Sequence, residues 1–377
     1  MLISLLFLVA SRSSPILFTA ILMLVFFVAS ASAQQKSPEK EWNDILTAAK
    51  KEGTVVVANS PDSVMREISA RFKARFGITL EHIAGRSGEI VTRLRSEQRA
   101  GLHTVDIFMP GMDPAAPVLY PERMLAPLKP LLILPEVIDP TKWKKGKLWF
   151  VDPEDKFVLR VFSHITTFLH INTDQVKPAE IQSAKDLLNP KWKGKIALED
   201  PTTAGSGSNQ AARIYAQLGE EFFKRLYIDQ KPFITRERRQ LSDSLARGTY
   251  PITFNAQRSE VERMRKEGFP ITDIMELLDL PGALTGSPWL LTLMKNPPHP
   301  NAACVFANWI VSKEGLEIYS RGEGSPTLRT DIEESFLPRE VVPRSGISYF
   351  DTYEWQWVVT ERQRVKERIK QIMATRS

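Results

Sequence analysis

From Thr54 to Met109 the chain alternates short β-branched runs with stretches of helical periodicity, and only a few residues separate them. Thr54-Val-Val-Val-Ala58, Ile78-Thr-Leu-Glu-His-Ile83 and Val105-Asp-Ile-Phe-Met109 read as strands. Helical spacing runs over Glu41–Lys51, where Trp42, Ile45, Leu46 and Ala49 share a face, over Val64–Phe76, and from the Gly85–Glu89 turn to about Ala100. Gly53 and Gly77 follow the first two of these helices, where a left-handed stop residue is needed. Strands separated by helices cannot pair as hairpins; they make a mostly parallel sheet covered by helices. The first strand is apolar throughout, as a strand buried on both faces must be.

The pattern returns further on. Ala184–Leu188 reads as a short helix, Lys195–Leu198 as a strand, Asp200–Ser208 as a glycine-rich turn, Asn209–Leu218 as a helix and Ile252–Phe254 as a short strand. Residues 127–165 mix Pro, Lys and Trp with β-type runs such as Lys156–Phe162. The extended apolar segment Thr166–Ile171 is the expected first crossing between two lobes, with a return near residues 276–292. No short-period repeat is visible.

The N-terminus carries Arg12, an apolar run of 13 residues from Ile16 to Val28, and then Ala31-Ser-Ala33. This is the pattern of a secretory signal cleaved after Ala33, and the run is short for a membrane span. The remainder, from Gln34, is long enough for two lobes. With 43% hydrophobic and 25% charged residues it has the composition of a globular protein. The single cysteine, Cys304, excludes an internal disulfide and sits in an apolar helical pattern, so it is expected to be buried. Loss of Arg12 would lower the net charge only from +6 to +5, and the basic residues are interleaved with acids. No nucleic-acid motif or basic stripe is present, so nucleic acid is not an expected partner.

Ligands of open α/β sheets bind beyond the carboxyl ends of the strands. Asn59–Ser63, Gly85–Glu89, Thr202–Ser208 and Asn255–Ser259 have that position. The Thr202–Ser208 turn combines hydroxyls with uncovered amides ahead of a helix, a receptor for a carboxylate or phosphate oxygen, although the same residues also make an ordinary capped turn. Arg86 either clamps an anion or is a solvated surface residue. Arg258 either reaches the cleft or pairs with Glu260 or Glu262. No HExxH, GxSxG, P-loop or strand-borne GxGxxG is present, and the five histidines are dispersed, so neither catalysis nor a cofactor is expected. His164 and His170 are expected in core or hinge packing.

Several motifs taken in order carry a family resemblance: Glu41-Trp followed by Ala-Lys-Lys-Glu-Gly-Thr-Val-Val-Val57, Val105-Asp-Ile-Phe108, Asn172-Thr173, Asp186-Leu-Leu-x-Pro-Lys-Trp-Lys-Gly-Lys-Ile196, Ala303 to Gly315, and Gly324-Ser-Pro326. The mature chain resembles the extracellular solute-binding proteins of bacterial ABC transporters, in the group with ferric-iron, thiamine and phosphonate binders. The resemblance implies a type II periplasmic-binding fold: two α/β lobes, a two-segment hinge and a cleft that closes on the ligand. Its expected division is residues 34–165 with 278–330 for lobe 1 and 166–277 with 331–377 for lobe 2. It implies a monomer in the periplasm that delivers its solute to a membrane permease with a cytoplasmic ATPase.

Iron binders of that group use a histidine in the first loop, a glutamate after the third strand and a tyrosine pair in the second lobe. Here those regions read Ser60-Pro61, Pro110-Gly111 and Asn255-Ala-Gln-Arg258, which lack the anionic oxygens that ferric iron favours. The group's anion pocket does correspond, to Thr202–Ser206 and Asn255. The expected ligand is therefore a small carboxylate or phosphonate. Thr203, Gly205, Ser206 and Asn255 are expected to hold it from lobe 2, and Asn59, Ser60, Arg86 and Ser87 from lobe 1, with Arg258 as counter-charge. A metal-binding protein is the alternative, and a secreted hydrolase a remoter one.

Overall fold

The computed structural model describes residues 37–203 and 205–376. The signal segment and its cleavage site lie outside these residues. Among them, no helix is long and apolar enough to cross a membrane. The described chain opens with α1 (Pro38–Glu52), and the compact unit considered below begins within it at Ile45. It continues through β1 (Thr54–Asn59), α2 (Val64–Phe76), β2 (Thr79–Ala84), α3 (Ser87–Arg99) and β3 (Ile107–Met109). Strand β1 pairs in parallel with both β2 and β3, and five of its six residues are buried, which is why Val55–Ala58 in its centre are all apolar. Gly77 ends α2 in the left-handed conformation at φ 73°, with its N–H on the Lys73 carbonyl.

Strand β3 is shorter than its sequence pattern because Asp106 turns its side chain into the ladder. The buried carboxylate accepts the Val56 N–H at 2.8 Å, the His299 N–H at 2.6 Å and His299 Nδ1 at 2.9 Å. It thereby ties the sheet to the start of a later helix.

The chain then supplies β4 (Leu125–Ala126), β5 (Trp149–Phe150), β6 (Val158–Arg160), β7 (His164–Thr166), β8 (Leu169–Asn172) and β9 (Ile196–Glu199). Next come α4 (Ser206–Lys224), β10 (Phe233–Thr235), α5 (Arg238–Ala246), β11 (Ile252–Thr253), α6 (Arg258–Lys266), β12 (Ile271–Ile274), β13 (Ala283–Thr285) and β14 (Leu290–Met294). The last are α7 (Pro300–Ile310), α8 (Lys313–Glu323), β15 (Phe350–Asp351) and α9 (Arg362–Met373). The extended segment Thr166–Ile171 is thus divided between two strands that belong to different sheets. Helix α4 begins three residues before its apolar pattern does, and Gly219, at φ 83°, breaks it where the pattern stops.

Lobe 1 is built on the sheet β2-β1-β3-β14-β6-β5, with β4 against β14. Lobe 2 is built on β10-β9-β11-β8-β12. Strand β14 runs antiparallel to β3, and β8 antiparallel to β11, so each sheet has a parallel core flanked by a returning strand. Helix α7 packs on β1, and α9 packs along α4. Cys304 in α7 is buried, and nearby Asn308 accepts the N–H groups of Ile133 and Leu134 at 2.8 and 3.0 Å, pinning the loop that precedes β5.

The lobes are joined by a third sheet, β15-β13-β7, in which β13 lies antiparallel to β7 and parallel to β15. Arg160, buried at the end of β6, fastens it. Its Nη1 reaches both Asp351 oxygens at 2.8 and 2.7 Å, its Nε the Phe162 carbonyl at 2.9 Å and its Nη2 the Ser163 hydroxyl at 3.1 Å. His164 of β7 is buried beside it, and burial, followed by the charges of Arg258 and Arg160, lowers its pKa to about 4. An unfolded histidine titrates near 6.5, so between those values the unfolded chain binds a proton that the folded one refuses. This contribution to stability is complete above about pH 6.5 and is lost as the pH falls toward 4. His164→Gln should remove about 2–3 kcal/mol of the stability difference between pH 7 and pH 4.5 in urea unfolding. An unchanged difference would contradict the assignment.

Candidate functional site

Where the sheets meet the joining strands, a cavity of about 450 Å³ opens between the lobes. Lobe 1 contributes Ser87 at the start of α3 and Gly111–Pro114, a helical turn just beyond β3. The joining strands contribute Thr166 and Thr285, and Thr352 follows β15. Lobe 2 contributes Asn255 beyond β11 and one face of α4: Ser206, Asn209, Gln210 and Arg213. Tyr353, Trp357 and Arg362 close the wall.

The α4 stripe follows from helix geometry. Positions 206, 209, 210 and 213 recur at i, i+3, i+4 and i+7, so one face is polar while Ala211, Ala212 and Ile214 bury the other side. Arg213 is 4% exposed, and its Nε has no hydrogen-bond partner among the described residues. No carboxylate among the described residues pairs with it; its guanidinium stands 5.2 Å from the centre of the Phe168 ring. Burial lowers its pKa to about 10, so it remains a cation at neutral pH. A buried cation without a counter-charge is costly unless something arrives to neutralise it. Beside it, Gln210 donates to the Phe168 carbonyl and leaves its Oε1 buried without a partner among the described residues.

The second guanidinium differs. Arg362 Nη2 donates to Asp113 Oδ1, and Asn209 Nδ2 donates to Asp113 Oδ2 at 3.1 Å, so a lobe 1 carboxylate is held by two lobe 2 side chains. Lys366 donates to Asn209 Oδ1 at 2.7 Å. Burial pushes the Asp113 pKa up, but Arg362, Asn209 and Lys366 outweigh it and hold the carboxyl below its ordinary range. Burial and the Arg362 charge bring Lys366 down to about 8.

Of the residues singled out from the sequence, the cavity brings together Ser87, Ser206 and Asn255, the last at φ 57° with its carbonyl accepting from Arg238. The others lie elsewhere. Asn59 is buried: its Oδ1 is 2.5 Å from His82 Nε2 and its amide reaches the Tyr319 hydroxyl at 3.5 Å. Ser60 and Arg86 are exposed and off the cavity wall. Arg258, the first residue of α6, pairs with Glu262 at 2.7 Å, the local partner rather than the cleft.

The hydroxyls of the Thr202–Ser206 turn are taken up by internal carboxylates. Asp200 accepts the Thr202 N–H and hydroxyl at 2.8 and 2.6 Å, the Thr203 hydroxyl at 3.0 Å and Arg236 at 2.8 Å. Burial would raise the Asp200 pKa, but these bonds hold it far below the carboxylate range. The Ser206 hydroxyl donates to Glu199 at 2.6 Å, and the Gly205 N–H turns to Ser208 at 3.3 Å. Thr203 and Gly205 are not among the residues that line the cavity, where Arg213 supplies a cation. Thr203→Ala, Arg86→Ala and Arg258→Ala should each leave solute affinity within about twofold in calorimetric titration, as substitutions that remove no ligand contact do. A tenfold loss in any of them would return that residue to the site.

Among the described residues, no group of three His, Cys, Asp or Glu side chains is placed to hold a metal ion.

Residues 67–340 match the family model of bacterial extracellular solute-binding proteins. A search of curated proteins finds no match. Among solved structures, the chain is similar to Trichodesmium IdiA (FutA) in complex with iron and citrate, with a TM-score of 0.63 and 15% identity over 85% of this chain and 99% of that one. It is similar to the periplasmic binding protein AfuA from Actinobacillus pleuropneumoniae with fructose-6-phosphate bound, with a TM-score of 0.59 and 19% identity over 86% and 99%. Iron-bound HitA from Pseudomonas aeruginosa gives 0.59 and 16% over 83% and 99%. At these identities the shared property is the periplasmic-binding fold, two α/β lobes with a cleft between them.

Proposed function

The chain belongs to the bacterial extracellular solute-binding proteins, and from that premise we propose that it captures a small anionic organic solute between its lobes for delivery to an ABC permease. The observation that carries the choice of an anion is Arg213, buried on the cleft wall with no acidic partner among the described residues. A carboxylate or phosphate group that displaces water there gains a charge-assisted pair and relieves an uncompensated charge. Thr166, Thr285, Thr352, Asn255 and the unpartnered Gln210 Oε1 suit hydroxyl or amide groups on the rest of the solute. The AfuA structure holds a sugar phosphate, an anionic solute with a polar body.

In this proposal residues 1–33 are the export signal, and the working protein is a periplasmic monomer divided at 165/166, 277/278 and 330/331. Its permease partner is driven by a cytoplasmic ATPase. A thermal-shift screen over carboxylates, phosphonates, sugar phosphates, neutral sugars, polyamines and ferric iron tests the solute class. A true ligand at a thousand times its Kd adds about 4 kcal/mol of stability. Stabilisation by anionic solutes supports the proposal, and stabilisation by polyamines, neutral sugars or iron alone overturns it.

A further inference from the structure

We infer that Asp113 sets the charge of the ligand, restricting the cleft to solutes with one anionic group. The inference rests on the anion-binding proposal and refines it. The charged side chains on the cavity wall are Arg213, Arg362 and Asp113, which leave one net positive charge. The two guanidiniums are not equivalent. Arg213 has no ion-pair partner among the described residues, whereas Arg362 donates to Asp113, whose second oxygen is taken by Asn209 at 3.1 Å. The carboxylate that neutralises Arg362 comes from the helical turn after β3 in lobe 1, while Arg362 and Asn209 stand on α9 and α4 of lobe 2.

A first anionic group therefore meets an uncompensated cation at Arg213. A second would meet a cation already balanced, with a carboxylate fixed beside it. Although the Asp113 side chain keeps about half of its exposure, that like-charge contact opposes binding of the second group. Arg362 still presents Nε, which is buried and without a partner among the described residues. That N–H suits a neutral acceptor such as a hydroxyl, amide or carbonyl. The threonines and Trp357 on the same wall also carry no charge. The class indicated is a solute with one anionic group on an uncharged polar body, and Asp113 is the residue that excludes a second anionic group.

The test compares wild type, Asp113→Asn, Asp113→Ser and the double variant Asp113→Asn with Arg362→Gln. Each is titrated calorimetrically at millimolar concentration with succinate and succinamate, glutarate and glutaramate, acetate and inorganic phosphate. Thermal midpoints confirm folding, and the serine variant covers the case in which the asparagine variant fails to fold. Wild type should bind the half-amide of each pair about tenfold or more tightly than the dicarboxylate. Either Asp113 substitution should shift that ratio toward the dicarboxylate by about tenfold or more, and Arg362→Gln should cancel the shift, since it removes the cation that Asp113 masks. A wild type that prefers the dicarboxylates, or ratios that stay within twofold in both single variants, overturns the role of Asp113 and leaves the Arg213 proposal standing. A folded wild type that binds none of the six anions removes the anion-binding proposal and this inference with it.

Discussion

Arg213→Met is expected to abolish tight binding and, at the same time, to make the protein more stable. Loss of a buried, charge-assisted contact to an anionic solute costs about 3 kcal/mol, on the order of a hundredfold in Kd. In the free protein the same guanidinium is a liability, since it is 4% exposed and no carboxylate among the described residues compensates it. Methionine keeps the apolar contact with Phe168 and removes the charge, so unfolding should require about 1–3 kcal/mol more. Calorimetric titration and urea unfolding read the two effects separately. A destabilised variant would mean that Arg213 serves the core. Unchanged affinity would mean that the anion binds elsewhere.

Arg160→Met should act in the opposite sense, through stability. It strips Asp351 of the Nη1 donor that both its oxygens share and leaves the Phe162 carbonyl and the Ser163 hydroxyl without their donor. Breaking a largely buried pair by removing one partner costs about 3 kcal/mol. The urea midpoint should fall with little change in slope, because the surface exposed on unfolding is the same. Asp351→Asn in the Arg160→Met background should recover part of the loss by removing the stranded charge, as interacting sites do when both are changed. A midpoint that does not move would show that the β15-β13-β7 sheet holds without this clamp.

The difference between these two arginines explains what the sequence could reveal. Local patterns carried the fold well: α2 spans Val64–Phe76, as its periodicity and its glycine stop indicate, and β1 reads as buried because its centre, Val55–Ala58, is apolar. Arg258 could also be assigned locally, since Glu262 stands one helical turn away. At the turn where an anion cradle was expected, around Thr203 and Gly205, the hydroxyls have partners that are themselves local. Asp200 and Glu199 precede the turn and take up the Thr202, Thr203 and Ser206 hydroxyls.

The cavity needed more than local patterns. Asp113 meets Arg362 across 249 residues, and no spacing in the chain announces such a pair. Arg213 did leave a trace, the polar stripe Ser206, Asn209, Gln210 and Arg213 beside the apolar residues Ala211, Ala212 and Ile214. Such a stripe on a buried helix must face either solvent or a ligand space. Only the placement of α4 against the joining strands decides between them.

The central claim is that a solute's anionic end lies against Arg213, between the lobes. A crystal structure with the most stabilising solute of the screen tests it most directly. Carboxylate or phosphate oxygens are expected at hydrogen-bond distance from the Arg213 guanidinium, about 2.7–2.9 Å, with residues of both lobes in contact. A solute bound outside the cleft, or lying in it with its anionic group turned toward the Thr202–Ser208 turn and away from Arg213, would contradict it.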